Sequence, residues 1–176
     1  VTWTYGVSGV AWQDGQLHTI KSAALDQVTP SPNVEAVRPA NQFRYDVTVP
    51  VSTVSYPAPG SFYQSSQLST ISGTSSDAGP GTPSGVSLVE VAIKDEGTSL
   101  FLNAANSAFD VAGSCWVAAT STNPWTKAGV PWSQGVNYRG WSRALDGAGN
   151  QQSVSVLSGG VGFKVDNIAP DSAMTS

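Results

Sequence analysis

Asn137-Tyr-Arg-Gly-Trp-Ser-Arg-Ala-Leu-Asp146-Gly-Ala-Gly-Asn150 is the stretch whose pattern decides the fold. Tyr138, Gly140, Ser142 and Ala144 fall on one side of an extended chain. Arg139, Trp141, Arg143 and Leu145 fall on the other, because successive strand side chains point to opposite faces. Asp146 to Asn150 has hairpin-turn chemistry. Further strands are expected at 153–157 and 161–165. Upstream, Val89, Val91 and Ile93 alternate with Glu90 and Ala92 as in a half-buried strand. Residues 50–55 form a β-branched run led by Pro50, suited to a sheet edge. Residues 68–73 make another strand, and five Gly and Pro residues between 77 and 85 make a loop. Trp125 belongs in a strand, and 94–122 reads as an irregular hairpin or insertion. No segment has helical periodicity, so the pattern predicts an all-β antiparallel sandwich.

The same signals recur upstream at one offset. Phe43, Asp46, Pro50 and Ser52 return as Phe163, Asp166, Pro170 and Ser172, each 120 positions on. Gly9, Val10, Trp12 and Gly15 return as Gly129, Val130, Trp132 and Gly135. Ser22, Ala24, Leu25 and Asp26 return as Ser142, Ala144, Leu145 and Asp146. A period of that length predicts tandem units. Residues 1–46 are then the closing part of one unit, 47–166 a complete unit, and 167–176 the opening strand of a following one. A closing part has no sheet of its own to pack on. The only methionine is Met174, so the sequence reads as a processed product or an excerpt.

Composition narrows the function classes. Charged residues make up 11% of the 176, and the net charge is −4 with 8 Lys plus Arg. Nucleic-acid binders displace counterions with a basic face, which this chain lacks. No apolar run approaches the roughly 20 residues that span a bilayer. One cysteine (Cys115) and one histidine (His18) exclude an internal disulfide and a Cys/His zinc site. His18 is the only histidine that could activate a serine, a site needing two histidines is excluded, and no Gly-x-Ser-x-Gly elbow occurs, so a non-enzymatic role is expected. The absence of Asn-x-Ser/Thr sequons favours a bacterial source.

These residues resemble the tandem immunoglobulin-like repeats of large extracellular bacterial surface proteins of adhesin type. Asp46-Val-Thr-Val-Pro50 and Asp166-Asn-Ile-Ala-Pro170 match the opening of such a unit. Ser72-Gly-Thr-Ser-Ser-Asp77 matches its next strand and loop. Gly135-Val-Asn-Tyr138, with Arg143-Ala-Leu-Asp146-Gly-Ala-Gly-Asn150, matches its close. The resemblance covers 47–176. It implies an immunoglobulin-like sandwich, an extracellular or cell-surface location, and a structural role: projecting or connecting other domains, with neighbouring repeats as partners. It also implies Ca²⁺ in loops or at junctions, as in some relatives. The partial unit departs from the pattern: Asp26-Gln-Val-Thr-Pro30 lacks the Gly-Asn, and His18 replaces the Tyr.

Three residue sets stand out. Asp146 and Asn150 could bind Ca²⁺ with Asp166, Asn167 or Asp77, since a hard cation needs six to eight oxygens. The same residues also serve a plain turn, through Asx hydrogen bonds and a positive φ at Gly149. Trp141, flanked by Arg139 and Arg143, could form a platform for carbohydrate or a host-surface protein; the 94–122 region could instead bury it. Asp46, Pro50, Asp166 and Pro170 fix the inter-repeat junction, because proline restricts the residue before it. Gly140 faces the expected core where the earlier unit has Ile20, leaving room for Trp116 or Trp125. Two other functions share the fold. One is a carbohydrate-binding module using Trp141. The other is a self-assembling filament subunit, in which strands from another copy complete residues 1–46.

Overall fold

The computed structural model describes residues 4–36, 38–156 and 158–172. Among the described residues there are twelve strands, and the sole helical element is a short 3-10 turn at Ser65–Gln67. Among them, too, no helix is long and apolar enough to cross a membrane. The chain forms two compact units: Val1–Thr48 with Ala78–Ser84, and Val49–Asp77 with Gly85–Ser176.

The larger unit is built from two sheets. One has three strands: β3 (Val51–Tyr56) on the edge, β5 (Thr70–Ser76) in the middle, and β10 (Trp125–Ala128). The other runs β4 (Phe62–Tyr63), β12 (Val161–Val165), β11 (Asn137–Asp146), β6 (Val86–Asp95), β7 (Leu100–Leu102), β8 (Phe109–Ala112). Strand β9 (Val117–Ala118) also pairs with β6. All pairings are antiparallel except β12 with β4. The core joins Ile71 and Trp125 of the small sheet to Val89, Val91, Ile93, Tyr138, Ala144, Phe163 and Val165 of the large one. That makes the unit an all-β sandwich.

The alternation of β11 is realised with a second layer outside it. Its inner residues Tyr138, Gly140, Ser142 and Ala144 are buried. At the inner edge the Ser52 hydroxyl donates to Ser142 Oγ at 2.9 Å. The Gln152 amide accepts from the Ser52 and Ala144 backbone N–H groups, which ties β3 to β11 across the sandwich edge. On the outer face Ala92, Phe101 and Trp141 form a second buried cluster, packed by Val111, Cys115, Trp116, Val154 and Val156.

Three local expectations are corrected. In the expected strand 153–157, residues 153–156 are not a strand and 157 lies outside the described residues: the preceding Gln151 makes an isolated bridge with Leu145, and Val154 and Val156 lie over the outer face. Positive φ at Gly159 and Gly160, 67° and 76°, then turns the chain back into β12. A Cβ on Gly160 would sit 2.5 Å from Trp141 Nε1, so glycine is required for this approach. The space beside Gly140 is filled by Ile71, whose Cδ1 lies 2.9 Å from where a Cβ would be, and not by a tryptophan. Trp125 instead packs on Gly73, and Trp116 lies outside the sheet. Residues 167–172 carry no strand, and 173–176 lie outside the described residues. Segment 94–122, expected as an irregular hairpin or insertion, holds β7 and β8 as an antiparallel pair with a register shift, followed by β9.

The smaller unit has a two-stranded sheet, β1 (Leu17–Ile20) with β2 (Asn41–Arg44). Its apolar side chains are poorly covered: Tyr5 is 76% exposed, Leu25 67% and Leu17 50%. The described part of β1 pairs with β2 alone, and an open groove of about 950 Å³ runs along Tyr5, Val10, Trp12 and Ile20.

Candidate functional site

The two hairpins share a geometry residue by residue. In the smaller unit Leu17 faces Arg44, His18 faces Phe43, Thr19 faces Gln42 and Ile20 faces Asn41. In the larger one Asn137 faces Lys164, Tyr138 faces Phe163, Arg139 faces Gly162 and Gly140 faces Val161. Every one of these positions differs by 120. Each hairpin carries an aromatic triad. Trp12 meets His18 and Phe43 edge-on, with ring centres at 4.9 and 5.1 Å. Trp132 meets Tyr138 and Phe163 edge-on at 4.9 and 5.4 Å. Edge-to-face contact suits the ring quadrupoles. The polar tip of the middle ring does the same work in both: His18 Nε2 accepts the Gln13 N–H, and the Tyr138 hydroxyl accepts the Ser133 N–H. The sequence showed the two tryptophans as equivalent but gave no sign of the triad, because its three members are far apart along the chain.

Asp146 and Asn150 are brought together as a clasp. Asp146 Oδ1 accepts the backbone N–H of Ala148 at 2.9 Å and of Asn150 at 2.8 Å, and Oδ2 accepts the Asn150 side-chain amide at 2.8 Å. Asp26 builds the same clasp with Asn33, accepting its backbone and side-chain N–H groups. The Gly-Asn missing after Asp26 is thus supplied by an asparagine further along a longer loop. The Asn33 amide holds the Asp26 carboxyl below the usual carboxylate range. Asp77 lies at the same end of the larger unit, accepting the Gly85 N–H at 2.8 Å. A carboxylate oxygen of Asp77 and one of Asp146 lie within 4.8 Å.

Asp166 is not part of that group. It follows β12, which pairs with the start of β11, whereas Asp146 ends β11. Nine residue steps of strand separate the two ends, on the order of 30 Å. One ion cannot take both carboxylates, which corrects the expected set. Asp166 accepts from the Ile168 N–H at 3.0 Å and the Gln134 amide at 3.1 Å, and these hold it below the usual range. Asn167 accepts the Ser65 N–H at 2.8 Å at this same end. Asp46 is buried and likewise accepts the N–H two residues on, from Thr48 at 3.1 Å. The Ser84 hydroxyl and N–H hold Asp46 low. Pro50 is fully buried at the head of β3, and Pro170 is exposed.

Trp141 is 4% exposed, which corrects its reading as an open platform. Phe101 stacks on it with ring centres 6.2 Å apart, and its Nε1 donates to the Ser158 carbonyl at 3.0 Å. The flanking arginines are neutralised. Arg143 pairs with Glu90 at 2.8 Å and lies 4.3 Å over the Trp116 ring. Arg139 and Lys94 both pair with Glu96, at 2.8 and 3.0 Å. Burial pushes the Glu96 carboxyl up, but the Arg139 and Lys94 hydrogen bonds outweigh it and hold it low. The sequence placed these three residues correctly on one face; what covers that face is distant in the chain.

Comparison with family models, with curated proteins and with solved structures gives no match.

Proposed function

We propose that this chain is a non-enzymatic structural piece of a tandem immunoglobulin-like repeat protein, built on a 120-residue period and acting outside a bacterial cell. The observation that carries the reading is the pair of hairpins with the same register, aromatic triad and Asp–Asn clasp at the same offset. Random recurrence of sequence does not restore side-chain geometry at this level. Units that repeat a fold stack into arrays whose product is length and stiffness. The outward face of β11 supports this role: its charges are paired and its tryptophan is buried, so its residues stabilise the sheet instead of presenting a ligand platform.

The filament reading gains no support from the larger unit. A filament of exchanged strands needs an opening half that lacks its closing hairpin, and here β11 and β12 already fill that place.

The test is to raise antibodies against the chain and probe intact source cells with and without external protease. The expected result is a long polypeptide, cut without lysis. A protein confined to the lysate would contradict the reading.

A further inference from the structure

We propose that the turn around Gly135, with Gln134 and Asp166, is a docking surface for the Gly-Pro-Gly loop of another repeat. This inference rests on the repeat reading above. The smaller unit shows the filled version of the surface. There Gly15 is buried, and loop Ala78–Ser84 lies directly on it. A Cβ on Gly15 would stand 1.6 Å from the Pro80 carbonyl oxygen, and one on Gly81 would stand 2.6 Å from the Gly15 oxygen. The Thr82 N–H donates to the Gly15 carbonyl at 3.1 Å, and the Ser84 N–H donates to Asp46 Oδ2 at 2.5 Å. Both chains must be glycine at the crossing, so the loop is recognised by its lack of side chains.

Gly135 stands where Gly15 does. Its φ is 78° against 71°, and its N–H donates to Val165 as that of Gly15 donates to Tyr45, at 2.9 and 2.7 Å. Asp166 stands where Asp46 does and holds the N–H of Ile168 as Asp46 holds that of Thr48. The difference is cover. Gly135 is exposed, and a Cβ added there would meet nothing within 4 Å. The occupant defined by the filled site is a loop with the sequence character of 78–84. A backbone N–H reaches the Gly135 carbonyl, and a serine-like N–H and hydroxyl reach Asp166.

The experiment extends the full chain after Ser176 with a copy of residues 57–166, which continues the 120-residue register. Hydrogen exchange is then read at the appended loop amide equivalent to Thr82. The expected result is exchange slowed at least about tenfold against an unstructured loop, the mark of local protection. Gly135→Ala should return that amide to fast exchange. Gly129→Ala is the control: its φ is 71° and its surroundings are equally open, so it carries the same backbone strain without touching the docking surface. Fast exchange in the unsubstituted extension would overturn the proposal, as would equal effects of the two alanines. Ring contacts of the appended Trp132, Tyr138 and Phe163 copies separate the levels. Their absence sinks the repeat reading, and docking with it; their presence beside a free loop sinks docking alone.

Discussion

Asp146, itself buried, joins a turn to a strand by accepting three hydrogen bonds, from the Ala148 and Asn150 N–H groups and the Asn150 side-chain amide. Asp146→Ala is expected to cost about 1–3 kcal/mol, since each intramolecular hydrogen bond contributes about 0.5–1.5 kcal/mol net, measured by urea unfolding in EDTA. No loss in EDTA would contradict the clasp. A larger loss in calcium than in EDTA is the signature of a cation bridging Asp77 and Asp146. Gly160 makes a second residue-scale case. An added methyl group meets the Trp141 indole and also sits at positive φ. Gly160→Ala should destabilise by about 1–3 kcal/mol and expose Trp141, read as a red shift in tryptophan emission. An unshifted spectrum with unchanged stability would contradict the close approach.

Strands were more legible in the sequence than what lies over them. The alternation of β11 and β6 specified both faces, and the Pro50 run specified an edge. Segment 153–157 misled because its Ser-Val-Ser-Val alternation is strand-like, yet Val154 and Val156 are apolar toward a tryptophan that no local pattern reveals. The Asp26 turn was read as incomplete because Asn33 lies outside the expected spacing. At this scale the two hairpins should behave differently despite their shared geometry. Strand β11 lies between two neighbours, while the described β1 has one. Native-state hydrogen exchange should place β11 amides near the global stability, about 5–15 kcal/mol for a domain, and β1 amides far below it. Equal protection would mean that β1 has a partner strand.

For the whole molecule, acid sensitivity follows from carboxylates held low. Asp26, Asp46, Asp110 and Asp166 are lowered by hydrogen bonds from Asn33, Ser84, Asn106 and Ile168, named in the same order. A group with a depressed folded pKa stabilises fully above its unfolded value, about 3.9 for Asp. That stability is lost as pH falls through the lower folded value. Unfolding free energy should therefore be flat with respect to these groups above about pH 5 and decline below about pH 4. A maximum near pH 3 would contradict the assignment. The central claim is that the larger unit is one repeat that unfolds as a whole under tension. Pulling a single chain by its ends tests it most directly. The predicted record has one discrete event that releases roughly 40 nm, the extended length of about 120 residues, while the smaller unit gives no comparable event. Gradual extension, or several short steps from the larger unit, would contradict it.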